Sequence, residues 1–297
     1  ESATGCDVLE LCGLLIHASE SNQRFTRTLE VLAQAGLPHE VMDGPEASRR
    51  FPTFAFDSET RAFFAEENGF LKADRALAQF RSSAVDHGAT LIDNCMVDSI
   101  HPENGGVRLS TSGGEVTAGH VVLTAGPWIG QLAKEMNWTL EVTREQKVYF
   151  QVHAPDRFHP DCFPAFCEYD TAYYGFPSLD GQTIKVAADH TGDLVSPDQV
   201  DRDVEDDYIT MMSAWLDRWQ PGVVQAPSSS AVCLYTNTPD HDFLIGVHPE
   251  NERVLMAGGF SGHGFKFSVL VGDILSDLVI DGTTRRPIDR FRVDRFV

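Results

Sequence analysis

The sequence predicts a mixed α/β (α+β) protein of two interleaved domains, on three observations. Between Gly69 and Met136, segments with helical and strand periodicity alternate. From about Glu141 the pattern becomes a succession of short strands, "VYFQVHA", "FPAFCEY", "AYYGFPS" and "TIKVAAD". From Arg253 to Gly282 the chain returns to strand, glycine-rich loop and helix. No repeat, low-complexity run or Ser/Gly linker separates these parts, so the chain revisits each domain.

Taken in order, "CGLLIHA" is a short apolar run suited to a strand. "SNQRFTRTLEVLAQAGLPHEVMD" carries apolar residues at helical spacing and stops at Gly36-Leu37-Pro38. "DGPEASRRFPTF" opens with turn chemistry and is expected to be irregular. "KADRALAQFRSSAVDHGA" predicts a helix ending at Gly88, and "TLIDNCMVDSI" a strand after it. "VRLSTSGGEVTAGHVVLTAG" predicts a glycine-turned hairpin and one further strand, and "GPWIGQLAKEM" the next helix. "VEDDYITMMSAWLDRW" is a polar helix interrupting the β-rich part. "RVLMAGG" is a buried strand, and "SVLVGDILSDLVIDG" an amphipathic helix closed by Gly282.

At 297 residues with 42% hydrophobic and 23% charged residues, the chain can bury a sizeable core. Its net charge of −21 repels phosphate backbones and argues against nucleic acid as a partner. Such a surface also occurs in proteins that work in high salt. No apolar run reaches the roughly 20 residues of a membrane span. The first residues lack a basic flank and a small-residue cleavage site, so no signal peptide is read there and a cytoplasmic location is expected. Six cysteines, Cys6, Cys12, Cys95, Cys162, Cys167 and Cys233, include no C-x-x-C pair, and reduced thiols are expected. Cys162 and Cys167 have no matching histidine pair, so no metal site is expected.

The most informative stretch is "MAGGFSGHGFKFS", with Gly258, Gly259, Gly262 and Gly264 around one cation, Lys266. It joins the end of a strand to the start of a helix. Ligands of α/β sheets gather there, because free N–H groups and the positive end of the helix dipole point outward together. A packed strand–helix turn without a ligand would use the same glycines. "VVLTAGPWIG" repeats the arrangement with Gly126 and Trp128. Two such turns on parallel strands favour a dinucleotide lying across their edges.

From "VCLYTNTPDHDFLIGVHPENERVLMAGGFSGHGFKFS", together with "YYGFPS" and "AGPW", the chain resembles the monomeric sarcosine oxidase and N-methyltryptophan oxidase family. That family belongs to the D-amino-acid-oxidase-like FAD enzymes, and the resemblance runs from "CGLLIHA" to "FRVDRF". It implies an FAD-binding Rossmann-like domain over residues 71–137 and 233–297, and a β-sheet-rich substrate domain over 1–70 and 138–232. It implies an oxidase that turns the C–N bond of an N-methyl or cyclic amino acid into an imine and reduces O2 to H2O2, acting as a monomer.

The resemblance also implies roles. Cys233 matches the cysteine that bonds the flavin 8-methyl group. Lys266 matches the lysine that holds the substrate carboxylate, and Gly259, Gly262, His263 and Gly264 match the loop against the flavin ring. The separations, thirty residues from Cys233 to His263 and thirty-three to Lys266, agree with the family pattern. Tyr174 matches a tyrosine over the substrate cavity, and Lys185 the lysine that activates oxygen. Val97 matches a residue at the adenine, and Gly126 and Trp128 belong to the second cofactor turn.

Two departures stand out. The family has a histidine four residues after its oxygen-activating lysine, whereas "KVAADH" places Asp189 there and His190 one later. Either a bulge returns His190 to the site or Asp189 takes its position. The family's initial G-x-G-x-x-G unit and its carboxylate-pairing arginine are also missing. The expectation is therefore a chain truncated at its N-terminus. Two alternatives stay open: a catalytically silent module, or a dehydrogenase that uses a protein electron acceptor.

Overall fold

The computed structural model describes residue 5 and residues 7–221 and 223–296, leaving aside the side chains of 223–225. In chain order the first elements are β1 (Leu9–Glu10), β2 (Leu14–Ser19), α1 (Gln23–Gln34), β3 (Glu40–Asp43), α2 (Gly44–Arg50), β4 (Thr60–Ala65), β5 (Phe70–Leu71) and α3 (Ala73–Asp86). There follow β6 (Val97–Glu103), β7 (Gly106–Thr111), β8 (Gly114–Ala118), β9 (Val121–Leu123), α4 (Ile129–Leu132) and β10 (Glu141–Val152). Then come β11 (Ala165–Glu168), β12 (Tyr173–Phe176), β13 (Thr183–Ala188), β14 (Asp193–Leu194) and α5 (Asp206–Trp219). The last are β15 (Val223–Asn237), β16 (Leu244–His248), β17 (Asn251–Gly258) and α6 (Ser268–Asp281).

Most elements follow the sequence reading, and four differ for local reasons. The segment after Asp43 is a helix, α2, because the Asp43 side chain accepts from the Glu46 N–H and Pro45 sits in its first turn. The strand expected from Thr90 begins only at Val97, since Asn94 (φ 57°) turns the chain in "IDNC". "GPWIGQLAKEM" breaks into two 3-10 turns around the four-residue α4, as Gly130 weakens a continuous helix. The polar helix α5 is polar on its outer face only, for it buries Tyr208, Met212, Trp215, Leu216 and Trp219.

The chain divides into two compact units. The first comprises Glu1–Phe80, Glu145–Gly192 and Asp201–Cys233. Its sheet runs β10-β13-β12-β11-β2-β4-β3, with β15 also pairing with β10. From β10 to β3 every neighbouring pair is antiparallel except the parallel β11–β2 pair. One face packs into a core of Leu15, Val148, Phe150, Phe166, Ile184 and Val186, closed by α5. Gly175 is required there: a Cβ would run into the Phe166 ring. The second unit comprises Arg81–Arg144, Asp193–Val200 and Leu234–Val297. It holds the antiparallel sheet β6-β7-β8 and the sheet β16-β17-β9, whose β17–β9 pair is parallel.

No helix among the described residues is long and apolar enough to cross a membrane. Cys6 lies outside the described residues, and the other five cysteines are free thiols.

His17, on β2, is an internal histidine of the first unit. Its ring packs 4.8 Å from Phe56 and 5.0 Å from Trp219, and neither ring nitrogen has a hydrogen-bond partner. Burial lowers its pKa from 6.5 to about 3, against an opposing pull from Asp170. The folded protein thus keeps the ring neutral while the unfolded chain takes up a proton. Stability is accordingly lost as pH falls from about 6.5 to about 3. We expect His17→Phe to make the fall in urea midpoint between pH 7 and pH 4 shallower than in the wild type. Parallel slopes for the two proteins would contradict the assignment.

Candidate active site

In the second unit, β9 and β17 lie side by side, with Val121, Val122 and Leu123 paired to Val254, Leu255 and Met256. Both strands are apolar because their flanks are packed: Leu123, Val254 and Met256 join Ile129 and Leu244 in one cluster, and Leu255 and Ala257 face α6. Parallel pairing brings the two following turns, 124–128 and 259–267, to the same edge. This is the arrangement the sequence reading expected for its two glycine turns.

The glycines of the second turn are explained by packing. Gly259 (φ 60°) and Gly262 (φ 76°) adopt the left-handed conformation. A Cβ at Gly262 would strike the Tyr235 ring, and one at Gly264 would fall 2.5 Å from Phe260 Cβ. The ring of His263 is held as well, with Nε2 3.0 Å from the His241 carbonyl and the ring centroid 5.0 Å from Phe243. A 3-10 turn, Phe265–Phe267, then leads into α6, whose first turn has no side-chain cap. The 3-10 turn supplies the cap instead, the Phe267 N–H donating to the Gly264 carbonyl and the Ser268 N–H to that of Phe265. Lys266 is exposed on this turn, 5.5 Å from the Phe267 ring centroid, with no carboxylate partner among the described residues. The helix α6 itself is less amphipathic than its sequence suggests. It buries Val271, Ile274 and Leu275 but leaves Val269, Leu270 and Ile280 exposed, having more apolar residues than one face holds.

The first turn is anchored differently. Gly126 has φ 53° with open space at its Cβ position. Trp128 donates from Nε1 to Asp198 Oδ1 at 2.7 Å, and Gln131 donates to Oδ2 at 2.9 Å. The Gln131 and Trp128 bonds hold the Asp198 carboxyl below its ordinary range. Sequence reading missed Asp198, because nothing in "SPDQV" signals a partner seventy residues away in the chain. Val97 stands at the start of β6 opposite Thr111, beside a register shift.

The first unit gathers a second group. On β10 and β13, Tyr149 is the cross-strand partner of Lys185 and Lys147 that of Ala187. On β12, Phe176 pairs with Lys185 and Tyr174 with Ala187. Cross-strand partners share a face, and residues two apart in one strand share it too. Lys147, Tyr149, Tyr174, Phe176 and Lys185 therefore stand together on the face opposite the core. The Lys185 ammonium lies 4.9 Å from the Phe176 ring centroid and 5.7 Å from that of Tyr174. Burial, and then Lys147, lower the Lys185 pKa to about 8, with Cys233 pulling it back up. Half-buried Cys233 is pushed above the ordinary thiol range by burial, opposed by Lys147 and Lys185. The structure thus joins Tyr174, Lys185 and Cys233 in one electrostatic neighbourhood, and adds Phe176 and Lys147, which sequence reading passed over. Strand alternation from Lys185 was the signal that could have found both.

The question of Asp189 against His190 dissolves. β13 ends at Ala188 without a bulge, and the chain turns at His190 (φ 55°), so alternation no longer governs either side chain. The His190 ring lies 3.1 Å from the Asp189 carboxylate.

A turn with a cation at a parallel sheet edge is where α/β folds take ligands, and a desolvated lysine near a thiol marks a candidate reactive group. The profile described as FAD dependent oxidoreductase matches residues 1–278, and the chain belongs to that family. The sequence-based resemblance and its FAD cofactor are borne out. The chain is 33% identical to the monomeric sarcosine oxidase of Streptomyces avermitilis, over 98% of this chain and 78% of that enzyme. It is 31% identical to the N-methyl-L-tryptophan oxidase of Yersinia pestis, over 99% and 79%. The fold matches glycine oxidase from Geobacillus kaustophilus with a TM-score of 0.87 at 22% identity, covering 100% of this chain and 78% of that one. It matches L-proline dehydrogenase from P. horikoshii with a TM-score of 0.84 at 21% identity, covering 97% and 77%.

Gly262→Ala sets a left-handed backbone and the Tyr235 ring against a methyl group. A loss of about 2 kcal/mol or more is expected, read as a lower urea midpoint with unchanged slope. An unaltered midpoint would contradict the packing account of this turn.

Proposed function

We propose that the protein is an FAD-dependent oxidase of secondary amines, acting on N-methyl or cyclic amino acids and passing their electrons to O2. The reading is supported most by Lys185: a desolvated ammonium held against two aromatic rings, beside a half-buried thiol, on the open face of the sheet. The relatives named above, a sarcosine oxidase and an N-methyl-L-tryptophan oxidase, point to the substrate class.

The residues fit the cofactor on their own chemistry. Cofactor binding is assigned to segments within 71–137 and 233–297, and substrate handling to segments within 1–70 and 138–232. Cys233 would tether the ring system. The turn Gly259–Gly262–His263–Gly264 would lie against the flavin, with the positive end of the α6 dipole toward its electron-rich edge. Gly126 and Trp128 form the companion turn, and Val97 would pack against the adenine. When bound, FAD supplies the two-electron acceptor for the C–N bond.

The remaining roles belong to the chain. Lys266 offers an ammonium without a carboxylate partner for the substrate carboxylate, and a fixed cation sets which C–H bond is presented. Tyr174 and His190 border the substrate. Lys185 stabilises the negative charge that builds on dioxygen as it accepts an electron, and low polarity around it strengthens that effect.

Lys185 acts as the ammonium, and its pKa is about 8, so reoxidation should slow as pH rises through about 8. Lys185→Met should slow reoxidation by O2 roughly 100-fold or more, remove that pH dependence and leave flavin reduction by substrate largely intact. Stopped-flow measurement of the two half-reactions decides this, and equal losses in both would overturn the role. A peroxide-coupled screen of sarcosine, bulkier N-methyl amino acids and cyclic imino acids tests the substrate class. Turnover of primary amines alone would contradict it.

A further inference from the structure

Lys147 has no role in the reading above, yet it stands among its central residues. It lies two positions before Tyr149, the cross-strand partner of Lys185, so strand geometry places Lys147 and Lys185 diagonally on one face. The intervening Val148 and the next residue but two, Phe150, point the other way into the core. Both lysines are half-buried, and neither has a carboxylate partner among the described residues. Two like charges so placed oppose one another, and an anion between them would relieve both.

The group available to become that anion is the Cys233 sulfur, on β15, which pairs with β10. The charged and titratable groups that act on it are Lys147 and Glu145 from β10, Lys185 from β13 and the Tyr208 hydroxyl from α5. Lys147 is the strongest of the charges there, ahead of Lys185 and of the opposing Glu145. Glu145 is engaged elsewhere, accepting from the Thr191 and Gly192 N–H groups at 3.3 and 3.2 Å. Tyr208 is likewise committed, donating to the Gln146 carbonyl at 2.7 Å.

We propose that Lys147 is a positioning residue for flavin attachment, its ammonium favouring the thiolate form of the Cys233 sulfur, the form that bonds the cofactor. The inference rests on Cys233 being the tether. In the step, the Sγ–H bond breaks and its proton goes to solvent. The sulfur electron pair forms the bond to the 8-methyl carbon, which gives up one hydrogen as a proton. The two electrons released reach dioxygen, the acceptor of the amine oxidation, and with two protons yield hydrogen peroxide. Lys147 and Lys185 thereby divide the work, one serving the sulfur and the other the oxygen.

The test compares wild type, Lys147→Met, Lys147→Gln and Lys147→Arg, each checked for native circular dichroism. The first readout is the alkylation rate of Cys233 by iodoacetamide in flavin-free protein, followed by peptide mass spectrometry across pH 6–10. The second is the rate at which added FAD becomes inseparable from acid-precipitated protein. Lys147→Met and Lys147→Gln should slow alkylation at pH 7.5 roughly fivefold, move its pH profile upward and slow attachment in parallel, while Lys147→Arg stays near wild type. Wild-type rates of alkylation and attachment in the Met and Gln variants would overturn the role of Lys147 alone. Wild-type protein that binds FAD yet releases all of it on acid precipitation would instead overturn the tether, and this proposal with it.

Discussion

Strand alternation in the sheet of the first unit is the constraint on which the rest depends. Val148, Phe150, Ile184 and Val186 must be buried for the core to form. Their neighbours Lys147, Tyr149 and Lys185 are then forced onto the opposite face, and Tyr174 and Phe176 come with them by register. The candidate site residues are thus placed by the same pattern that stabilises the fold. A one-residue slip would bury the ammonium groups and expose the core. Holding lysines partly out of water is costly, and the aromatic faces of Phe176 and Tyr174 offset part of that cost at Lys185.

The second unit solves a different problem, that of presenting backbone at the edge of a parallel strand pair. Its glycines are demanded by neighbouring rings and by left-handed turns, and the result is a turn whose following helix lacks a side-chain cap. Packing alone accounts for the glycines of "GGFSGHG", and the turn is fixed by Gly262 on Tyr235 and by the His263 contact to His241.

Much of this was legible in the sequence. Apolar periodicity marked β2, α1, α3, β17 and α6, and the two glycine turns announced a shared sheet edge because each followed a buried strand. The family resemblance supplied Cys233 and Lys185 as candidates, which no spacing rule would single out, whereas Lys266 already stood out among its glycines. What escaped was set by context. Asp43 and Pro45 looked like a turn because capping and turn chemistry use the same residues. Asp198 and His17 owe their roles to contacts with residues far along the chain. Lys147 was passed over because a lone lysine in a strand reads as surface until register shows what stands beside it.

The most direct measurement is a crystal structure of the protein with FAD bound. The flavin ring should lie against the face that bears Lys147, Tyr174 and Lys185, with its 8-methyl carbon at the Cys233 sulfur. A ring bound elsewhere, with Lys185 and Cys233 remote from it, would contradict the account.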